Sequence, residues 1–366
     1  SAALAAVGSC VALVGIFVNL IVGLSVGPNA VLANLIGQKR RDKINRMLHT
    51  IMAFGLIAGV ILMGLGMLSA KPILEVSGTP ESVMNEALLY IRIYFIGIPF
   101  MMIYNFGSAV LRSFGDTRRP MYYLILSGTV NVILNLILVI YFKLGVAGVA
   151  IATVISNILS AGLVLIYLYR REDEFQFRPQ RLHIEKEDLK KVLVIGIPAG
   201  IQGAIFSISN VFIQSGINSF GEDAIAGSSL ALNFEYFTYF TISAFAQAAV
   251  TFKSQNYGAR NFKRCKKIFV YSMISSVVIC GLMSAIFVWR DFFAEIYTTD
   301  KAVLEYASIR MVHVLLFECL ASSYEIGGAA LRGLGYSMTP AVLTVLGSCV
   351  FRLIWIYTVF NKFRSF

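Results

Sequence analysis

Ten apolar runs separated by short polar loops organise this chain: residues 4–35, 47–70, 88–111, 120–141, 145–169, 193–218, 227–252, 268–289, 306–331 and 340–360. A helix needs about 20 apolar residues to cross the hydrocarbon core, where each backbone polar group must be satisfied within its own segment. The pattern therefore predicts an all-α polytopic membrane protein. The runs fall five and five around one charged stretch. This predicts a helical lobe over 1–170, a cytoplasmic linker over 171–192 and a second lobe over 193–366. The second part of the linker, IEKEDLKK, predicts a short amphipathic helix on the cytoplasmic surface.

Alternate loops assign the sides of the membrane. One side collects Lys39, Arg40, Arg41, Lys43, Arg46, Arg112, Arg118, Arg119, the linker, the cluster from Lys253 to Lys267, and Arg332, which is most of the 31 basic residues. That side is the cytoplasm by the positive-inside rule. The opposite loops, such as 75–81, 221–223 and Asp291 to Glu305, are acidic. This alternation puts Ser1 and Phe366 outside. One more helix at each end would return both termini to the cytoplasm, so the chain reads as the middle ten of twelve helices.

The two halves echo one another. Ser108 to Pro120 (SAVLRSFGDTRRP) returns as Gly328 to Pro340 (GAALRGLGYSMTP), the loop from Gly37 aligns with the loop from Gly258, and Arg92 aligns with Arg310. A repeat of this length in an apolar chain points to a transporter built from duplicated bundles.

Composition narrows the function classes. With 57% hydrophobic and 14% charged residues, the chain carries more apolar surface than a soluble domain buries. Its net charge of +11 sits in short loops, not on one amphipathic face, which excludes nucleic acid as a partner. The five cysteines lack metal-ligand spacing, and the three histidines have no acid or cysteine partner at a catalytic spacing. The chain does not read as an enzyme, and no cofactor is expected beyond a coupling ion.

The strings LRSFGDTRRP followed by NVILN, IGIPAGIQGAIFSISNVFIQ, and GGAALRGLGYSMTP resemble the multidrug and toxic compound extrusion (MATE) transporters, especially bacterial ones, over essentially all 366 residues. The resemblance implies two six-helix lobes related by a pseudo-twofold axis along the membrane normal, with a central cavity between them. Five helices of each lobe are present, and the first and twelfth are missing. It also implies export of organic cations and other amphipathic compounds in exchange for sodium ions or protons, from a bacterial inner membrane; a monomer is expected.

Polar groups deep in a bilayer are costly unless they pair or line a wet cavity. Asn131 and Asn135 share one helix face, and Thr153 lies on the next helix. Their oxygens suit a hard cation such as Na+, although a carboxylate would normally join them. The resemblance implies a cation site at these positions with an aspartate from the absent first helix. The alternative is interhelical hydrogen bonding at about 1 kcal/mol per asparagine.

The second half carries acids. Glu318 and Glu325 are seven apart, two turns along one helix face. Glu325 aligns with Asn105 in the first half. Arg352 is expected to reach the depth of Glu318 and pair with it, leaving Glu325 as the group that exchanges an ion. Acidic residues on this helix couple ions in the MATE proteins that the chain resembles. Asn210 aligns with the missing first-helix aspartate. Glu235 and Tyr239 lie in the aromatic stretch Phe234–Phe240, where rings and a carboxylate suit a lipophilic cation; an interfacial aromatic belt accounts for half of these rings. Asn105, Asn210, Gln202, Glu235, Tyr239 and Arg352 form the expected substrate cavity. Pro99 and Pro198 predict kinks, and the GxxxG spacings at Gly23–Gly27 and Gly55–Gly59 predict close packing. A lipid-linked saccharide flippase of the same superfamily is the main rival. It would require a cationic cavity, whereas the candidates here are acids and amides with Arg352 the exception. A non-transporting receptor is a second rival, disfavoured by the near-symmetric halves.

Overall fold

A computed structural model of the chain describes residues 2–76, 79–289, 292–295, 297–360 and 362; among these there are helices and no strands. The outer-loop acid Asp291 and part of the 75–81 loop lie outside the described residues.

The first half comprises α1 (Ala2–Leu24), α2 (Val26–Gly37), α3 (Arg41–Val76), α4 (Glu81–Ile96), α5 (Ile98–Ser113), α6 (Arg118–Leu136) and α7 (Gly145–Arg170). The second comprises α8 (Lys186–Asn218), α9 (Glu222–Gly258), α10 (Phe262–Trp289), the single turn α11 (Phe292–Glu295), α12 (Lys301–His313), α13 (Ala321–Gly333), α14 (Met338–Thr344) and α15 (Phe351–Trp355). Among the described residues seven helical runs are long and apolar enough to span a membrane alone, and the pair α4–α5, bent by 42°, makes an eighth if taken as one span. The remaining two of the ten predicted spans correspond to α9 and to α12–α13. Both are diluted by polar residues, among them Ser228, Glu235, Arg310, Glu318 and Glu325.

By its contacts the chain divides into Ser1–Gly200 and Ile201–Phe366, so the boundary falls inside α8 and not at residue 192. The glycine spacings explain this. A Cβ on Gly23 would lie 2.5 Å from the Ala199 carbonyl oxygen, and one on Gly196 would lie 2.8 Å from that of Leu24. The first half of α8 thus packs backbone to backbone on α1, as small residues allow. Gly55 and Gly59 seat Phe106 and Pro99 in the same way. The stretch IEKEDLKK is likewise not a separate surface helix, because Lys186 opens α8 and Asp188 is buried between Arg46 (2.8 Å) and Lys191 (3.2 Å).

The rest of the linker is strapped to α3. Asn45 donates to the carbonyls of Glu174 and Gln176 (3.1 and 2.9 Å), the Arg178 amide donates to His49 Nε2 (3.0 Å), and the Glu185 amide to Thr50 Oγ1 (3.2 Å). Arg171 lies over the Phe114 ring and bonds Asp173, holding that carboxyl below its ordinary range.

The duplication extends to turn geometry. After α2, Lys39 adopts a left-handed φ of 57°, with Lys39 N–H bonded to Ile36 O and Arg40 N–H to Leu35 O; after α9, Arg260 has φ 56°, bonded to Tyr257 O, with Asn261 bonded to Asn256 O. Gly115 and Gly335 (φ 92° and 95°) end α5 and α13 with the same pair of capping bonds, a conformation that favours glycine. The third run of the first half, 88–111, and the fourth of the second, 306–331, are also interrupted. Gly97 and Pro99 break α4 from α5, and a tight 3₁₀ stretch, Leu315–Leu320, separates α12 from α13. α8 continues through Pro198.

Candidate functional site

Each unit holds its own polar cluster. In Ser1–Gly200 the structure brings Asn131, Asn135 and Thr153 together where α6 packs on α7. Asn135 Nδ2 donates to Asn131 Oδ1 (3.0 Å), Asn131 Nδ2 to Thr153 Oγ1 (3.5 Å), and Thr153 Oγ1 to the Val149 carbonyl (3.0 Å). The chain of donors leaves one acceptor over: Asn135 Oδ1 is buried with no protein partner. Asn105 stands apart, its amide bonded to the Met101 carbonyl one turn back (2.9 Å).

In Ile201–Phe366 the acids are sorted differently from expectation. Glu318 does not pair with Arg352. Arg352 Nη1 donates to Asn210 Oδ1 (3.1 Å), and its guanidinium lies 4.9 Å over the Phe206 ring. Glu318 Oε2 is buried with no hydrogen-bond partner. The sequence-based pairing matched depths by counting α-helical residues, but Glu318 lies in the 3₁₀ stretch and Arg352 follows a wide π-type stretch, Val345–Val350. Both change the rise and rotation per residue, so equal counts no longer give facing side chains.

Glu235 is likewise not a free cavity carboxylate. Arg310 grips it bidentately, Nε to Oε1 at 2.6 Å and Nη2 to Oε2 at 2.9 Å, while Nη1 reaches Ser228 Oγ at 2.5 Å. Glu235 and Arg310 are the charged groups in electrostatic reach of Glu318. The aromatic stretch splits: Phe234 is core, packed with Leu230, Met311 and Leu315, while Tyr236, Phe237 and Phe240 are exposed. Tyr239 is half-buried in reach of Glu325 and Arg332.

Two arginines read from the sequence as loop cations lie inside instead: Arg112, whose Nε is buried without a partner, and Arg332. Arg332 is only 8% exposed, donates from Nη2 to Gln202 Oε1 (2.5 Å) and leaves Nε without a partner. It is the charged group facing Glu325. The two lie seven residues apart on α13, about 10 Å along the axis at 1.5 Å per residue, with no ion pair between them within 4.0 Å. The repeated Leu-Arg-x-x-Gly, with its arginine inside the helix end and its glycine as the cap, was the available signal. A further omission is Glu86 on α4, whose Oε2 is also buried without a partner.

The described cavity, about 490 Å³, lies at none of these places. It sits at the N-terminal end of α3 between Asp42, Arg46, His49, Arg181 and His183.

The family model described as MatE matches residues 1–137 and 198–358, one segment on each side of the linker. The chain is 28% identical over 352 residues to the probable multidrug resistance protein YoeA of Bacillus subtilis, covering 94% of this chain and 76% of that protein. It is 25% identical over 341 residues to the probable multidrug resistance protein NorM of Thermotoga maritima, covering 91% and 73%. A crystal structure of MATE in the straight conformation shares the fold with a TM-score of 0.89 at 21% identity, over 98% of this chain and 80% of that one. The duplicated helical halves, their matching turns and these matches have one explanation: the chain belongs to the MatE family, as a multi-pass inner-membrane multidrug-efflux transporter.

Proposed function

We propose that the chain exports amphipathic, cationic compounds in exchange for protons or sodium ions, with Glu325 and Glu318 as the ion-exchanging groups of the second unit. The observation that carries this reading is the pair of unpaired carboxyls. Glu318 keeps a buried oxygen without a partner, and neither acid has a cation within 4.0 Å, whereas Glu235 nearby is fully paired. A carboxylate in such a place is held either as the neutral acid or with an ion bound. It can therefore exchange one for the other as access alternates. The Asn131, Asn135, Thr153 cluster, with its spare Asn135 oxygen, is the proposed sodium-sensitive group of the first unit.

The test is uptake of a fluorescent organic cation into everted vesicles, driven in turn by imposed proton and sodium gradients. Glu325→Gln should abolish uphill transport while the protein stays folded, and unchanged transport would overturn the assignment. Arg352, held by Asn210 and the Phe206 ring with no acid paired to it among the described residues, favours the flippase reading. Uptake under neither gradient, combined with Arg352-dependent movement of a lipid-linked saccharide, would establish it.

A further inference from the structure

The equivalent cytoplasmic turns of the two units, alike in backbone, differ in how their charges are met. In the α2–α3 turn, Arg41 pairs with Glu174 (3.7 Å) and Arg46 with Asp188 (2.8 Å), and Asp42 lies among the basic residues, so that Lys39, Arg40 and Lys43, which form no ion pair among the described residues, have acids beside them in the turn. The α9–α10 turn carries Arg260, Lys263, Arg264, Lys266 and Lys267, all exposed. No acid occurs between Glu235 and Asp291, and no described residue forms an ion pair with any of the five. Four of these cations sit in the first turns of α10, which has no acid there to offset them. Positive charge at a helix N-terminus opposes the macrodipole, so folding alone does not account for the arrangement.

The surroundings specify the counter-charge. Phe262 opens α10 at 61% exposure, and the adjoining turn after α13 exposes Tyr336 and Met338. The two turns are joined through Ser254 Oγ, which bonds the Gly333 carbonyl at 3.0 Å. A basic rim with protruding apolar side chains, on the cytoplasmic side of two spans, matches a headgroup layer and not bulk water.

We propose that the α9–α10 turn binds the phosphates of anionic phospholipids of the cytoplasmic leaflet, with Lys263, Arg264, Lys266 and Lys267 as ligands and Phe262 inserted at the acyl boundary. The lipid supplies to the second unit the counter-charge that Glu174 and Asp188 supply to the first.

The test is native mass spectrometry of the full chain from mixed micelles of phosphatidylglycerol and phosphatidylcholine. Wild type should retain phosphatidylglycerol over phosphatidylcholine by at least about tenfold, in line with several basic residues acting together, and lose that preference as salt rises. Lys263→Gln/Arg264→Gln/Lys267→Gln should remove the preference, while Lys39→Gln/Arg40→Gln/Lys43→Gln on the first unit keeps it. An unchanged melting temperature in neutral detergent establishes that both variants fold. No lipid preference in wild type, equal losses in both variants, or full displacement of the lipid by soluble glycerol phosphate would overturn the proposal.

Discussion

If Glu235 serves the fold and not the substrate, removing its partner must cost stability before it costs transport. Arg310 makes two bonds to the carboxylate at 2.6 and 2.9 Å and a third to Ser228, and the side chains are only 15% and 10% exposed. Arg310→Gln leaves a buried carboxylate beside a second acid, Glu318. Breaking a buried pair from one side costs about 3–5 kcal/mol. At about 2–4 °C per kcal/mol for a unit of this size, that is a fall of about 6–20 °C in apparent melting temperature. The double change Glu235→Gln/Arg310→Gln removes both charges and should recover most of the loss, because the uncompensated charge and not the missing bond is the larger cost. The assay is size-exclusion chromatography after heating in detergent. An Arg310→Gln protein with an unchanged melting temperature, alongside a Glu235→Gln protein that folds but no longer carries organic cations, would refute the reasoning and return Glu235 to the cavity.

Three further outcomes are expected. Gly23→Val should lower the melting temperature, since its Cβ would meet the Ala199 oxygen at 2.5 Å and the Gly200 Cα at 2.6 Å, at a cost of about 1–3 kcal/mol or more for a backbone that must shift; Gly64→Ala, with nothing within 4 Å, should not. Asn135→Ala should weaken sodium-driven uptake and spare proton-driven uptake, because it removes the spare oxygen of the first-unit cluster. Arg171 depresses the Asp173 carboxyl, so that pair stabilises the fold above the ordinary carboxylate value of 3.8 and stops doing so as pH falls through the lower folded value. Melting temperatures of wild type and Asp173→Asn should differ at neutral pH and converge in that acid range.

The spans and the duplication were legible because each rests on local composition or on the chain's likeness to itself. The glycine spacings were legible too, since a missing side chain has one packing consequence wherever it falls. The pairing of acids was not. Arg310 and Glu235 are 75 residues apart, and nothing in either local sequence marks the other. Glu318 was assigned by counting along helices assumed regular, and the 3₁₀ and π-type stretches at Leu315–Leu320 and Val345–Val350 carry no composition that distinguishes them from α-helix. Arg332 was assigned to a loop because arginine near a run's end is ordinarily solvated. Its burial depends on Gln202, contributed by a helix 130 residues away.

The repeat also shows how one helix end acquires chemistry that its twin lacks. A Cβ on Gly328 would meet Pro340 Cβ at 3.2 Å and the Arg332 guanidinium nitrogens at 3.8 Å, so the glycine leaves the Arg332 side chain free to lie back along α13 on the side of Glu325. The equivalent positions of the first unit are Ser108, Arg112 and Asn105. There a side chain occupies the place of the glycine, and the Asn105 amide is turned onto its own backbone at Met101. The neutral amide cannot exchange a proton at all, whereas a carboxyl at the place of Glu325 is able to, with the Arg332 charge about two turns further along the same helix. Under the proposed function, the charge of only one of the two units then changes with each ion exchanged at this position, so a single ion can bias the second unit without altering the equivalent helix end of the first. Placing an acid at both positions by Asn105→Glu would remove that asymmetry. The expected result is a steeper dependence of transport on the proton gradient; an unaltered dependence in a folded Asn105→Glu protein would mean that the helix end of the second unit does not carry the coupling.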